Sequence, residues 1–221
     1  MSKTHKAHKG PPMEGFVASW YARITKDSRD YATLADAIAA RTKPGGRVLE
    51  VAPGPGYLAV ELARRGLVTS GIDISRSFVR IANDNARAAG VAVDFRQGNA
   101  SALPYPDGSF DFVVCRAAFK NFTDPLGALD ETYRVLVPGG AASILDLRKE
   151  CSPAEIAAEI DDMHIGRLSA LWTRATFRWF LLKNAYSAEA IRQLAAQSRF
   201  RGGELRNDGV GFDLGLVKPP A

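Results

Sequence analysis

From Arg47 onward the apolar positions follow two alternating rhythms. Val48, Leu49 and Val51 make a short apolar run closed by turn formers, which predicts a buried strand. Leu58, Leu62 and Ala63 fall at core spacing within Tyr57 to Arg65, which predicts a helix stopped by Gly66. The cycle repeats. Val68 to Ile74 reads as the second strand, Ser77 to Ala89 as a helix capped by Gly90, and Val91 to Phe95 as the third strand. Phe110 to Cys115 is a continuous apolar run suited to a sheet centre. Pro125 to Leu136 is helical, and Val137-Pro138-Gly139-Gly140 turns it into a fifth strand, Ala141 to Leu147. Strand and helix in strict alternation predict an α/β fold with a doubly wound parallel sheet.

The ends of the chain break that rhythm. Between Pro153 and Lys183, Ile156, Ile160, Met163, Leu168, Leu171, Trp172, Ala175, Trp179 and Leu182 recur at helical spacing, as in one long or two short amphipathic helices. Arg167, Arg174 and Arg178 share one side of that wheel, a solvated face or a patch for an anionic substrate or membrane. Ser187 to Ser198 is a further helix, and Glu204 to Asn207 with Phe212 to Val217 form a terminal strand pair joined near Gly209. Upstream, Met13 to Tyr31 is rich in aromatics. It reads as a helix docking Phe16 and Trp20 onto the core, or as a flap covering a ligand with Trp20 and Tyr21. Asp30 or Thr33 starts the next helix, with Leu34, Ala37 and Ile38 on one face, and Pro44-Gly45-Gly46 ends it.

The first strand, the turn Ala52-Pro53-Gly54-Pro55-Gly56 and the following helix form a unit that binds nucleotides at the carboxyl edge of parallel sheets. Gly54 and Gly56 lack a Cβ, so the backbone bends sharply and a ligand comes close. Asp73, at the tip of the second strand, is placed to accept both hydroxyl protons of a ribose; the bland alternative, a helix cap, suits Ser75 better. Asn99 and Ala100 lie just past the third strand, where an amide and a backbone N–H can read an adenine edge. For Asn99 a simple turn role is the alternative.

Composition narrows the class only a little. The 221 residues suit one domain, taken as residues 13–221 with a helical lid at 153–183, preceded by a disordered basic tail at 1–12. No apolar run reaches membrane-span length and the tail lacks the apolar segment of a secretory signal, so a soluble, cytoplasmic protein is expected. Cys115 and Cys151 are too few for a disulfide framework, and His5 and His8 sit in the tail, so no metal site is expected. A net charge of +5 selects no partner by itself.

Four stretches, in order and at fitting spacing, resemble the class I S-adenosylmethionine-dependent methyltransferases, in the branch that includes the ubiquinone and menaquinone methyltransferases. They are V-L-E-V-A-P-G-P-G, G-I-D-I-S, G-N-A-S-A-L-P-Y-P-D-G-S-F-D-F-V-V and R-V-L-V-P-G-G, within about Arg47 to Leu147. The resemblance implies a Rossmann-like sheet of seven strands, mostly parallel with an antiparallel C-terminal strand, helices on both faces and inserted helices after the fifth strand. It implies S-adenosyl-L-methionine as cofactor, contacted by Glu50, Ala52, Gly54, Gly56, Asp73, Ile74, Asn99, Ala100 and Arg116, with Glu50 acting through the turn or the methionine amino group and Ile74 on the adenine face. Two positions depart from the pattern. Ala52 stands where a glycine is usual, tolerable if its backbone angles are ordinary, and Asn99 replaces an aspartate.

The implied acceptor is a small molecule, acidic or phenolic, methylated on O, N or C. Substrate residues are sought after the fourth strand and in the covering helices: Arg116, Phe119, Lys120, Asn121, Tyr21 and His164. Lys120 and Arg116 are candidates to hold an anionic acceptor or to form surface ion pairs, and His164, the one histidine outside the tail, is the candidate base. Two readings compete. Gly54-Pro55-Gly56-Tyr57-Leu58-Ala59 also fits the G-x-G-x-x-A of a nicotinamide-dependent oxidoreductase, although Pro55 removes a donor from the turn that would cradle a pyrophosphate. A non-catalytic S-adenosylmethionine-binding protein is the other. The segment Cys-Arg-Ala-Ala-Phe-Lys-Asn after the fourth strand lacks the Asn/Asp-Pro-Pro-aromatic motif of nucleic-acid amino methyltransferases, which argues against a nucleic-acid acceptor. A homodimer is admitted by this reading and not required.

Overall fold

The computed structural model describes residues 9, 13–26, 30–162 and 182–221. Its centre is one seven-stranded sheet in the order β3-β2-β1-β4-β5-β7-β6. The strands are β1 (Arg47–Val51), β2 (Val68–Asp73), β3 (Val93–Gln97), β4 (Phe110–Arg116), β5 (Leu136–Leu147), β6 (Glu204–Asp208) and β7 (Gly211–Val217). The pairs β1–β2, β1–β4, β2–β3 and β4–β5 are parallel, whereas β7 runs antiparallel to both its neighbours. The order reverses beside β1, so the carboxyl ends of β1 and β4 flank the crevice where such sheets bind ligands.

Burial explains the order. In β4, Phe112, Val113, Val114 and Cys115 are all buried, as a strand covered on both faces must be. One face packs under α2 (Asp30–Arg41) and α3 (Tyr57–Arg64), where Ala35, Ile38, Leu58 and Leu62 meet Val48, Phe112 and Val114. The adjoining α4 (Arg76–Ala88) buries Ala82 and Ala86 with Phe95. On the other face α5 (Pro125–Val135) and α7 (Ala188–Gln197) bring Leu129 and Ile191 onto Leu49, Val113 and Ile144. α6 (Pro153–Asp162) follows β5, and α1 (Gly15–Thr25) lies against α4.

Several expected positions shift. α2 buries Ala35 with Ile38 and leaves Ala37 exposed, and α3 buries Ala59 and Val60 while Ala63 is only half-buried. β3 starts at Val93 rather than Val91, because Val91 is still tied back to Ala86 in the turn after α4. β5 begins at Leu136: Phe110 pairs with Leu136 but Phe112 with Ala141, so the Pro138-Gly139-Gly140 turn is a bulge inside the strand. The α1 aromatics are not core. Phe16 is 84% exposed and Trp20 52%, while Ala18 and Ala22 face inward. In the expected tail, the Lys9 N–H donates to the Asn121 carbonyl at 2.7 Å. Within the expected lid, residues 163–181, with His164, Arg167, Arg174 and Arg178, lie outside the described residues.

Candidate functional site

The turn between β1 and α3 carries three residues of positive φ: Ala52 at 57°, Gly54 at 54° and Gly56 at 77°. Ala52 therefore does not keep ordinary backbone angles. It sits in the left-handed region that costs an L-residue about 1–2 kcal/mol, and the Ala52 N–H donates to the Ile72 carbonyl at 2.8 Å, which holds it there. The two glycines also differ. A Cβ on Gly54 would meet nothing within 4 Å, so this is the open side of the turn. A Cβ on Gly56 would lie 2.6 Å from Phe95 Cζ and 2.8 Å from the Ala82 Cβ, so its missing side chain makes room for β3 and α4, not for a ligand.

Asp73 joins this turn to the neighbouring strand. One carboxylate oxygen accepts the Gly54 N–H at 3.0 Å and the other the Ser75 N–H at 2.8 Å. Burial pushes its carboxyl up to about 6 against these stabilising bonds, with the nearby Glu14 charge adding to the rise. Ser75, as expected, is the cap of α4, its Oγ accepting the Phe78 N–H at 3.1 Å. The same hydroxyl donates to the Met13 carbonyl, and Glu14 accepts the Arg76 and Ser77 N–H groups, both at 3.0 Å. Ile74, next along, leaves 42% of its surface exposed beside the turn. Asn99 makes the turn contact that was its bland alternative, its Oδ1 accepting the Ser101 N–H at 3.0 Å, and Ala100 packs half-buried beside it.

Glu50 lies beneath the turn, 4% exposed, and its Oε2 has no hydrogen-bond partner. Burial raises its carboxyl to about 8, opposed by the Ala59 N–H at the start of α3 and by the Arg116 charge. That N–H belongs to the first turn of α3, whose donors have no partner within the helix.

At the tip of β4, the Arg116 guanidinium stacks 4.9 Å from the Tyr31 ring centre and pairs with Asp30 at 3.3 Å. Tyr21 packs edge-on against Phe78, and burial raises its phenol, with Tyr31, Arg116 and Asp146 close enough to act on it. Lys120 is neither a surface ion pair nor a cation open to an acceptor. Its Nζ pairs with Asp146 at 2.7 Å and donates to the Ala117 carbonyl at 3.0 Å, and the pair is almost wholly buried. The other Asp146 oxygen accepts the Lys120 N–H, which fixes the short 3-10 turn Phe119–Asn121 against β5. Phe119, Phe122 and Tyr186 cluster on that turn. His164 lies outside the described residues.

The structure thus gathers Glu50, Ala52, Gly54, Asp73 and Ile74 around one turn, with Arg116 and Tyr21 beyond them. Asp146, Tyr31 and Glu14 had no assigned part in the sequence. Asp146, a carboxylate at a strand tip like Asp73, carried a readable signal; Glu14 carried none, since its role is a contact 62 residues away. A groove of about 410 Å³ bounded by Tyr31, Tyr57, Val60, Glu61, Arg64 and Asn85 runs down the outer side of α3 and touches none of the carboxylates just described. Cys115 is buried, its thiol pushed well up, and Cys151 donates to the Arg148 and Val210 carbonyls.

Comparison with known proteins bears on the family and the fold. A family profile described as a methyltransferase domain matches residues 49–144. A ubiquinone/menaquinone biosynthesis C-methyltransferase of Xanthomonas oryzae pv. oryzae is 36% identical over 74% of this chain, and the match spans 65% of that protein's length. A protein of the same description from Marinomonas sp. is 33% identical over 77% of this chain and 68% of its own. The solved structure of a methyltransferase from Aquifex aeolicus has the same fold, with a TM-score of 0.70 at 20% identity, covering 92% of this chain and 99% of that one. The chain belongs to the class I S-adenosylmethionine-dependent methyltransferases, in the ubiquinone/menaquinone C-methyltransferase branch.

Proposed function

We propose that this chain transfers a methyl group from S-adenosylmethionine to a ring carbon of a hydroxylated, quinol-type small molecule. The observation that carries the cofactor is Glu50. A buried carboxyl with an unpartnered oxygen under a glycine turn favours a cation there and opposes a pyrophosphate. The methionine ammonium suits Glu50, the opening at Gly54 suits the close approach of the methionine chain, and Asp73 suits the ribose hydroxyls. Ile74 offers an apolar face for adenine, and Asn99 and Ala100 its edge. When bound, the cofactor supplies an electrophilic methyl on a positively charged sulfur.

The acceptor rests on the relatives, which are described as C-methyltransferases of ubiquinone and menaquinone biosynthesis. A ring carbon becomes nucleophilic when a neighbouring hydroxyl ionises. Arg116 supplies a fixed positive charge for that oxygen, and Tyr21, whose raised phenol keeps its proton at neutral pH, serves as a hydrogen-bond donor rather than a base. Lys120 and Asp146 act on the acceptor only through the Phe119–Asn121 turn they anchor. His164 remains the candidate to take the ring proton as the new carbon–carbon bond forms. Alignment of carbon, methyl and sulfur, with water excluded, supplies the rate.

Calorimetry and a methyl-transfer assay test the reading together. S-adenosylhomocysteine should bind and NAD should not, and of a panel of quinols, phenols, amines and tRNA the quinols should take the radiolabelled methyl, on ring carbon. Binding of NAD alone would overturn it. Cofactor binding without transfer to any quinol would overturn the acceptor.

A further inference from the structure

The turn after β4 repeats the construction of the turn after β1. Among the described residues, three that are not glycine have a positive φ: Ala52 at 57°, Ala117 at 58° and Arg201 at 60°. The two alanines follow adjacent strands, β1 and β4, which pair Val51 with Cys115 near their carboxyl ends. Each alanine gives its N–H outward, Ala52 to the Ile72 carbonyl of β2 at 2.8 Å and Ala117 to the Leu145 carbonyl of β5 at 2.7 Å. The two chains therefore part where the strand order reverses. An aspartate near the tip of the next strand then accepts a backbone N–H beyond each alanine, Asp73 from Gly54 and Asp146 from Lys120.

The turn after β4 carries one addition. Lys120 Nζ reaches back to the Ala117 carbonyl at 3.0 Å while pairing with Asp146 at 2.7 Å, so one ammonium ties the start of the turn to β5. The same Asp146 oxygen also accepts the Leu147 N–H at 2.8 Å. A buried ion pair is a poor source of stability, because desolvation cancels much of its attraction and apolar side chains would fill the same space. Ala117 itself is exposed, so no packing of its side chain explains a left-handed backbone there. Strain of this kind persists only where its surroundings impose it, and here those are the Lys120–Asp146 pair and the Leu145 carbonyl.

An ionised quinol offers two nucleophiles, its oxygen and the neighbouring ring carbon. Transfer to carbon forms a carbon–carbon bond as the methyl–sulfur bond breaks, and the ring proton then leaves. Transfer to oxygen forms a carbon–oxygen bond in place of the proton already lost. Oxygen carries most of the charge, so carbon is methylated only where it, and not oxygen, is held in line with the methyl. We infer that Lys120 and Asp146 are positioning residues, which hold the Ala117 turn and thereby select ring carbon over oxygen. The inference rests on the proposed transfer to a quinol-type acceptor and adds to it the means of choosing the atom.

Lys120→Met with Asp146→Asn removes both charges together and leaves no unpaired ion. With a quinol as acceptor, the double variant should lose about tenfold or more in kcat/KM and move methyl from ring carbon to oxygen, while S-adenosylhomocysteine affinity stays within about twofold of wild type. Adding Ala117→Gly should restore much of the carbon product, since glycine adopts the left-handed turn without the pair. Ala117→Val leaves the pair in place but strains the turn, so it too should raise the oxygen product, and it carries the test if the double variant does not fold. The inference is overturned if these variants keep the wild-type ratio of carbon to oxygen product, if Ala117→Gly restores nothing, or if cofactor affinity falls as steeply as kcat/KM. A wild type that methylates no quinol overturns the proposed acceptor instead. The turn is then judged by amide exchange at Ala117–Phe122, which loss of the pair should quicken and Ala117→Gly should slow again; unchanged exchange overturns the positioning role.

Discussion

Glu50 is the residue where burial and function oppose each other most directly. Its folded-state carboxyl titrates near 8 against an ordinary value of 4.5, so between those values the folded chain holds a proton that the unfolded chain has lost. Stability of the ligand-free protein should therefore fall as pH rises through that window and level off above it, by at most about 1.4 kcal/mol per pH unit. Denaturant unfolding from pH 5 to 9 should show that limb in wild type and, above about pH 6 where Asp73 no longer contributes, lose it in Glu50→Gln. Cofactor binding reads the same group from the other side. At pH 7 an ammonium arriving at Glu50 should expel close to one proton, seen by calorimetry in buffers of different ionisation enthalpy; absence of proton release would separate Glu50 from the ammonium. Ala52 makes a smaller test of strain. Ala52→Gly trades about 1 kcal/mol of relieved left-handed strain for similar unfolded-chain freedom and should be near neutral, whereas β-branched Ala52→Val should lose about 2 kcal/mol. Lys120 and Asp146 are a third case. Asp146→Ala strands a buried ammonium and should cost about 3–5 kcal/mol, far more than the loss of a surface pair.

At the scale of elements, the glycine turn divides two jobs that sequence alone merges. Gly56→Ala must push into Phe95 and Ala82 and should destabilise by about 1–3 kcal/mol beyond its backbone strain. Gly54→Ala meets open space, so it should spare stability apart from that strain yet weaken S-adenosylhomocysteine by about tenfold or more if the cofactor lies there. Equal effects on both properties at both positions would mean the turn is a single packed unit. The strands were legible because a buried parallel strand must be continuously apolar, as Phe112 to Cys115 shows, and because Gly66 and Gly90 end helices by their backbone freedom. The failures have a common physical origin. Phe16 and Trp20 look like core by hydropathy, but α1 touches the protein through Ala18, Ala22 and Tyr21, and only tertiary packing decides which face turns inward. Lys120 looked like a surface or substrate cation because its partner, Asp146, lies 26 residues away. Ala52 looked ordinary because a positive φ leaves no mark on a residue other than glycine.

Across the whole molecule, α1 is attached to a body that is already complete. None of the three sheet clusters contains an α1 side chain, so the sheet keeps its core whether α1 is docked or not. α1 is held by its buried face, Ala18 and Ala22 with Tyr21 edge-on to Phe78, and by polar contacts: Glu14 on the Arg76 and Ser77 N–H groups, Gly15 on Ser77 Oγ, and the Met13 carbonyl accepting from Ser75. The Ser77 hydroxyl first, and then those N–H groups, keep the Glu14 carboxyl below its usual range, and the Glu14 charge in turn helps hold Asp73 near 6. Glu14→Gln should therefore do two things at once. The Asp73 carboxyl should titrate lower, since a neighbouring negative charge is gone, and any loosening of α1 adds to the fall by letting water reach it. Amide exchange in α1 should quicken while β1 and β4 exchange unchanged, because no α1 side chain belongs to the clusters that pack the sheet. Carbon-13 titration of Asp73 and hydrogen exchange measure both on one sample. If Asp73 stays near 6 and α1 exchanges no faster, the helix is held by something other than Glu14. If β4 quickens along with it, α1 belongs to the cooperative core after all.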